Sequence, residues 1–198
     1  MKKKIILSLL ILLSIKSNAQ EKVVSNDNKF LISLHYTGNI RNDNFVSDNY
    51  NGVLGLDMRY VLFQNKNISL QGGLGLDYFK AREFGNQIDL KDRVMFNPNI
   101  GIELEFSKSF KPFFNLGYSF FTAKYQIQRT YINSYDPADP AFLPISSEVK
   151  YDFNSISINP GFRLYFDQKF YTQADYKFLP IESNINAHIV AIGLGLTF

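Results

Sequence analysis

Apolar and polar residues alternate with a period of two in eight segments of the chain, at about 29–37, 53–63, 68–80, 93–106, 112–124, 150–166, 170–178 and 188–198. A period of two marks a strand, whose successive side chains point to opposite faces. The same parity is apolar in every segment. Even positions carry Phe30, Ile32, Leu34 and Tyr36, then Leu54, Leu56, Met58 and Tyr60, and so on to Val190, Ile192, Leu194, Leu196 and Phe198. Odd positions carry Ser33, His35, Asp57, Arg59, Gln71, Asp77, Asn97, Glu103, Asn115, Ser157, Arg163, Gln173, Asp175 and Lys177, together with most of the strand glycines. In the strand centres no charge falls on the even face.

Periodicity leaves open which face is inside. A soluble barrel of the lipocalin kind would bury the even face around a ligand. Three features favour the inverse, membrane arrangement. Glycines make room inside a narrow lumen, whereas on a wetted face they serve no purpose. The connections alternate between short ones (64–67, 107–111, 167–169) and longer ones (38–52, 81–92, 125–149, 179–187), as periplasmic turns and external loops do. Aromatic rings also gather at both ends, as the two interfaces of a bilayer require. Tyr60, Phe63, Phe106, Phe110, Phe166, Phe170 and Phe198 lie near the short turns, and Tyr36, Tyr78, Phe96, Phe120 and Phe178 near the long connections. The pattern predicts an all-β fold, an eight-stranded antiparallel transmembrane up-and-down β-barrel over 29–198. Pro98 and Pro160 each withhold a ladder donor and predict bulges or local openings.

The start of the chain reads as a secretory signal over 1–19, with a periplasmic leader at 20–28. Met1-Lys2-Lys3-Lys4 is its basic region and Ser17-Asn18-Ala19 its cleavage site. The apolar run between them, about eleven residues, falls short of the roughly twenty that span a bilayer. Without Lys2, Lys3, Lys4 and Lys16, the 21 basic residues fall to 17 against 18 acidic. The basic excess therefore belongs to the targeting segment and argues for no nucleic-acid partner. The chain has no Cys, which excludes a lipid-anchored N-terminus and a disulfide framework.

The signal, the eight alternating strands, the Asn-Pro pairs at Asn97-Pro98 and Asn159-Pro160, and the last strand, ending on Phe198, resemble the small outer-membrane β-barrels of the OmpA/OmpX-like superfamily. The nearest resemblance is to the "porin family" or PorT-like barrels of Bacteroidota. It implies residence in the outer membrane and contact with its lipid and lipopolysaccharide. It also implies recognition of Phe198 by the barrel-assembly machinery, a monomeric state and no cofactor. The chain stops at the barrel, so the peptidoglycan-binding domain of full-length OmpA is not expected.

Candidate chemistry lies first in the lumen. Asp57, Asp77, Glu103, Glu105 and Asp175 face Arg59, Arg163 and Lys177 on the odd side, with His35 among them. Unpaired charge is costly in a low-dielectric interior, so these groups are expected to form a hydrogen-bonded network. Such a network is either a polar plug or the lining of a narrow ion path. Eight strands leave room for little but side chains, which favours the plug and a structural or surface-interaction role. A lipid-modifying enzyme is the third reading. His35 and His188 lie near the external ends of the two strands that close the barrel, with Glu182 and Ser183 adjoining. No local motif of such enzymes surrounds either His. The Asn/Asp-rich run from Asn39 to Gly52 lacks the spacing and closing Glu of a calcium loop and reads as a solvated turn, with no metal. The stretch from Tyr131 to Phe142 lies in a connection longer than about fifteen residues, a length that is usually functional or disordered. Its rings offer contacts to a surface partner.

Overall fold

The computed structural model describes residues 29–40, 45–82, 88–132, 142–182 and 185–198. The predicted signal and leader, much of the Tyr131–Phe142 stretch, and Ser183 lie outside them. Among the described residues the chain forms β1 (Phe30–Asn39), α1 (Phe45–Asn49), β2 (Tyr50–Asn65), β3 (Ile68–Ala81), β4 (Ile88–Leu90), β5 (Arg93–Leu104), β6 (Phe110–Ser119), β7 (Thr122–Ile132), β8 (Phe142–Asp152), β9 (Ser155–Tyr165), β10 (Phe170–Glu182) and β11 (Ile185–Thr197). Eight of these strands close into an antiparallel barrel in the order β1-β11-β10-β9-β6-β5-β3-β2. The remaining three form a separate sheet, β4-β7-β8, on the side of the long connections.

The single parity has a structural cause. Directly opposed residues of an antiparallel pair share a face, and the registers pair odd with odd: Ser33 with Asp57, Gln71 with Gly101, and Gln173 with Arg163. The odd face is therefore continuous around the inside and the even face around the outside. Leu34, Leu194 and Ile100 are 54%, 67% and 49% exposed, whereas Ser33, Asn97 and Arg163 are 1%, 0% and 0%. Two bulges in β2 break the rule locally. One between Gly52 and Leu54 turns Tyr50, an even residue, to the inside, and one between Val61 and Phe63 places Phe63 opposite outward-facing Leu70.

The sequence pattern is corrected in three places. The expected strands 112–124 and 150–166 each divide, because β7 and β8 leave the barrel and pair with each other over Thr122–Ile132 and Phe142–Asp152. The expected long loop at 179–187 is the end of a hairpin, whose pairing runs on to Glu182 and Ile185 across a shift at Pro180. Pro98 and Pro160 make no bulge, since their ladders to β3 and β6 keep register. Both do open the ladder on their other side. The β5–β6 pairing lapses between Asn99 and the Phe96–Phe120 bridge, and the β9–β10 pairing between Gly161 and Ile158.

Candidate functional site

The inward row of each strand supplies the residues that meet inside the barrel, arranged in layers from the long-connection end to the short turns. The outermost layer is largely apolar, with Arg93 opposite Phe79 as its charged member. Tyr50, Phe79, Met95, Phe121, Ala123, Phe153, Leu179, Ala187 and Ile189 pack with Val46 of α1, all of them buried. Phe121 packs edge-to-face with Tyr50 and Phe79 at centroid distances of 5.2 and 5.5 Å. Burying one such ring stabilises the fold by about 1.5–3 kcal/mol.

Beneath this cap lies an acid held by three strands. Asp77 accepts hydrogen bonds from His35 Nε2 at 2.8 Å and Thr37 Oγ1 at 3.0 Å, and pairs with Lys177 Nζ. Next, Asp57 and Arg59 stand two residues apart on the inward row of β2 and form a forked pair, with Nε–Oδ2 at 2.5 Å and Nη2–Oδ1 at 3.2 Å. Arg59 Nη1 also donates to Asn115 Oδ1 at 2.7 Å. The deepest cation is Arg163. Its guanidinium donates to Gln173 Oε1 at 3.0 Å and Gln71 Oε1 at 3.3 Å, and pairs with Glu103. Gln173 Nε2 in turn donates to Asp175 Oδ1 at 2.9 Å. The Phe113 ring lies 4.5 Å from the Arg163 guanidinium carbon and 5.6 Å from that of Arg59, a cation–π contact with each.

Inward glycines make this filling fit. A Cβ at Gly55 would run into His35 and Asp77, one at Gly101 into Asn115, and one at Gly195 into the Tyr171 ring.

Of the sequence-predicted lumen charges, Asp57, Arg59, Asp77, Glu103, Arg163, Asp175 and Lys177 thus come together inside. Glu105 does not join them. β5 ends at Leu104, and Glu105 sits at the short-turn mouth, where its carboxylate lies 3.4 Å from Lys111 Nζ. Lys111 was missed by the sequence pattern, as were Phe113, Tyr171 and the apolar cap. Odd parity was the available signal for all of these except Tyr50, which the bulge in β2 turns inward, and Val46 of α1. The two histidines do not form one site: His35 faces the lumen, whereas His188 shares the outer face with Tyr176 and Phe178 and hydrogen-bonds Tyr176. Around the Asn/Asp-rich run, Asn39 Nδ2 donates to the Tyr50 carbonyl and Asn51 Oδ1 accepts from Arg82. Among the described residues no group of three or more His, Asp or Glu is placed to hold a metal. Phe198 lies on the outer face and exchanges backbone hydrogen bonds with Phe30.

The family model of the outer membrane protein beta-barrel domain matches residues 5–198. The chain belongs to that family. It is an integral outer-membrane protein, with its even face toward lipid. The crystal structure of Ail, the attachment invasion locus protein of Yersinia pestis, is similar with a TM-score of 0.59 at 17% identity, over 86% of this chain and 99% of that one. Neisserial surface protein A gives a TM-score of 0.52 at 9% identity, over 85% and 97%. At these identities the likeness is one of fold. The family model bears out a small outer-membrane barrel and does not separate out a PorT-like branch. No curated protein sequence matches the chain.

Proposed function

We propose that this outer-membrane barrel is plugged, conducts no ions and catalyses no reaction, and that it serves a structural or surface-interaction role. The observation that carries this reading is Arg163. From β9 it reaches Glu103 on β5, Gln71 on β3 and Gln173 on β10, so one buried guanidinium ties the lumen together from wall to wall. The apolar cap adds a dry layer above it. The β4-β7-β8 sheet on the external side is the part available to a surface partner. In planar bilayers the refolded protein should give no conductance steps. Ion-selective steps in the wild-type protein would replace this reading with that of a narrow channel. Separation of His35 from His188 by the barrel wall argues against the acyl-transfer set, so lipid A from a deletion strain should match that of its parent.

A further inference from the structure

The two ends of the lumen are built differently. Toward the outside most inward positions are apolar and buried, with Tyr50 and Phe79 at 0% exposure, while Arg93 stands opposite Phe79 with its Nε and Nη2 buried. At the short-turn end a half-open cavity of about 560 Å³ lies between the β5–β6 and β9–β10 turns, bordered by Glu105, Lys108, Lys111, Tyr165, Asp167 and Gln168. A second cavity of about 60 Å³ lies further in, against Ser69, Gln71 and Glu103. Lys111 and Tyr165 border both cavities. The Lys111 ammonium sits 4.8 Å from the centroid of the Tyr165 ring and 3.4 Å from the Glu105 carboxylate. A cation over an aromatic face beside a carboxylate is the arrangement by which proteins recognise ammonium groups. Here the protein's own side chain occupies it.

We propose that the barrel is a blind vestibule open only at its short-turn end, and that a seat at the passage between its two cavities, on Tyr165 beside Glu105, receives an ammonium group from the periplasm, Lys111 holding that seat in the free protein. The proposal rests on the plugged-lumen reading for its blind end. The inner cavity, beyond the passage, has the volume of about two water molecules at roughly 30 Å³ each, so the bulk of a guest stays in the outer cavity, on the side that Glu105 borders. Glu103 is committed to Arg163. Glu105 is therefore the carboxylate that exchanges one ammonium for another.

The absence of Cys from the chain makes the test direct. Ser69→Cys reports on the inner cavity and Ser157→Cys on the buried layer above, where Ser157 accepts a hydrogen bond from Asn97. Both are refolded in detergent, checked for the mobility of the folded form on unboiled gels, and exposed to neutral methyl methanethiosulfonate. Ser69→Cys should react in the folded protein and Ser157→Cys only after unfolding. Adding Lys111→Ala to Ser69→Cys should speed the reaction several-fold. Ethylammonium chloride should then slow it again, and sodium chloride at equal ionic strength should not. Lys111→Met, which keeps the stem, replaces Lys111→Ala if the latter does not refold. Reaction of folded Ser157→Cys would overturn the plug itself. Silence of both cysteines would overturn the vestibule alone. Equal effects of ethylammonium and sodium would overturn the ammonium seat.

Discussion

Arg163 shows what parity reveals at the residue scale and what it does not. An odd position in an alternating strand places the side chain inside, and all the charges assigned to the lumen except Glu105 are there. Which groups meet is set by the stagger between strands, and a single sequence does not carry it. Asp175 is met by the Gln173 amide, a pairing that counting opposite charges among the odd positions does not produce. Removing one member of a buried pair strands the other, typically at about 3–5 kcal/mol. Arg163→Ala should therefore move the urea midpoint of the refolded barrel clearly downward, and Leu104→Ile on the lipid face should barely change it. Adding Glu103→Gln to Arg163→Ala should recover part of the loss, because it removes the stranded charge; a double-mutant cycle reads that coupling. Gly101→Ala attacks the same layer by crowding, since the new methyl meets Asn115, the partner of Arg59. Overpacking of this kind costs about 1–3 kcal/mol, and the same urea titration measures it.

At the scale of elements, the eight membrane strands were legible because lipid on one side and a narrow lumen on the other impose strict alternation. Where the ladder leaves the barrel was not. Phe121 and Ala123 stay buried beyond β6, as does Phe153 before β9, so alternation continues across the point where β7 and β8 turn to each other. The bulges of β2 escaped for the opposite reason: each inserts one residue and reverses parity over too few positions to register as a pattern. The β3–β5 connection offers a test outside the membrane. Asp92 accepts from the Tyr78 hydroxyl and, at 2.8 Å, from the Ala81 amide, and these bonds hold its pKa below the ordinary carboxylate value. A lowered folded-state pKa means the clasp is fully present above the unfolded value and is lost as pH falls through the lowered one. Hydrogen exchange at the Ala81 amide, corrected for its intrinsic rate, should lose protection in that acid range. In Asp92→Asn the protection should be weaker and independent of pH.

For the whole molecule, an apolar cap and an ion-paired interior lie in series along one lumen, and on the plugged reading each is a seal in its own right. They rest on different physics. The cap holds through burial of rings and aliphatic chains, and the interior through charges whose partners water would have to replace one by one. The cap members Phe79 and Phe121 and the Arg163 group share no hydrogen-bond or ring partner. Phe79→Ala should cost about 3–5 kcal/mol by opening a cavity in the cap. Combined with Arg163→Ala, the losses should add to within about 0.5 kcal/mol, as they do for sites without shared contacts. Conductance makes the sharper forecast. Phe79→Ala leaves the ion pairs across the lumen and Arg163→Ala leaves the cap, so each single variant should stay silent in planar bilayers. The double variant should show ion-conducting steps. Conduction by Arg163→Ala alone would mean that the cap does not stop water and that one guanidinium does the sealing. A silent double variant would mean that the remaining pairs, Asp57 with Arg59 and Asp77 with Lys177, close the lumen without either.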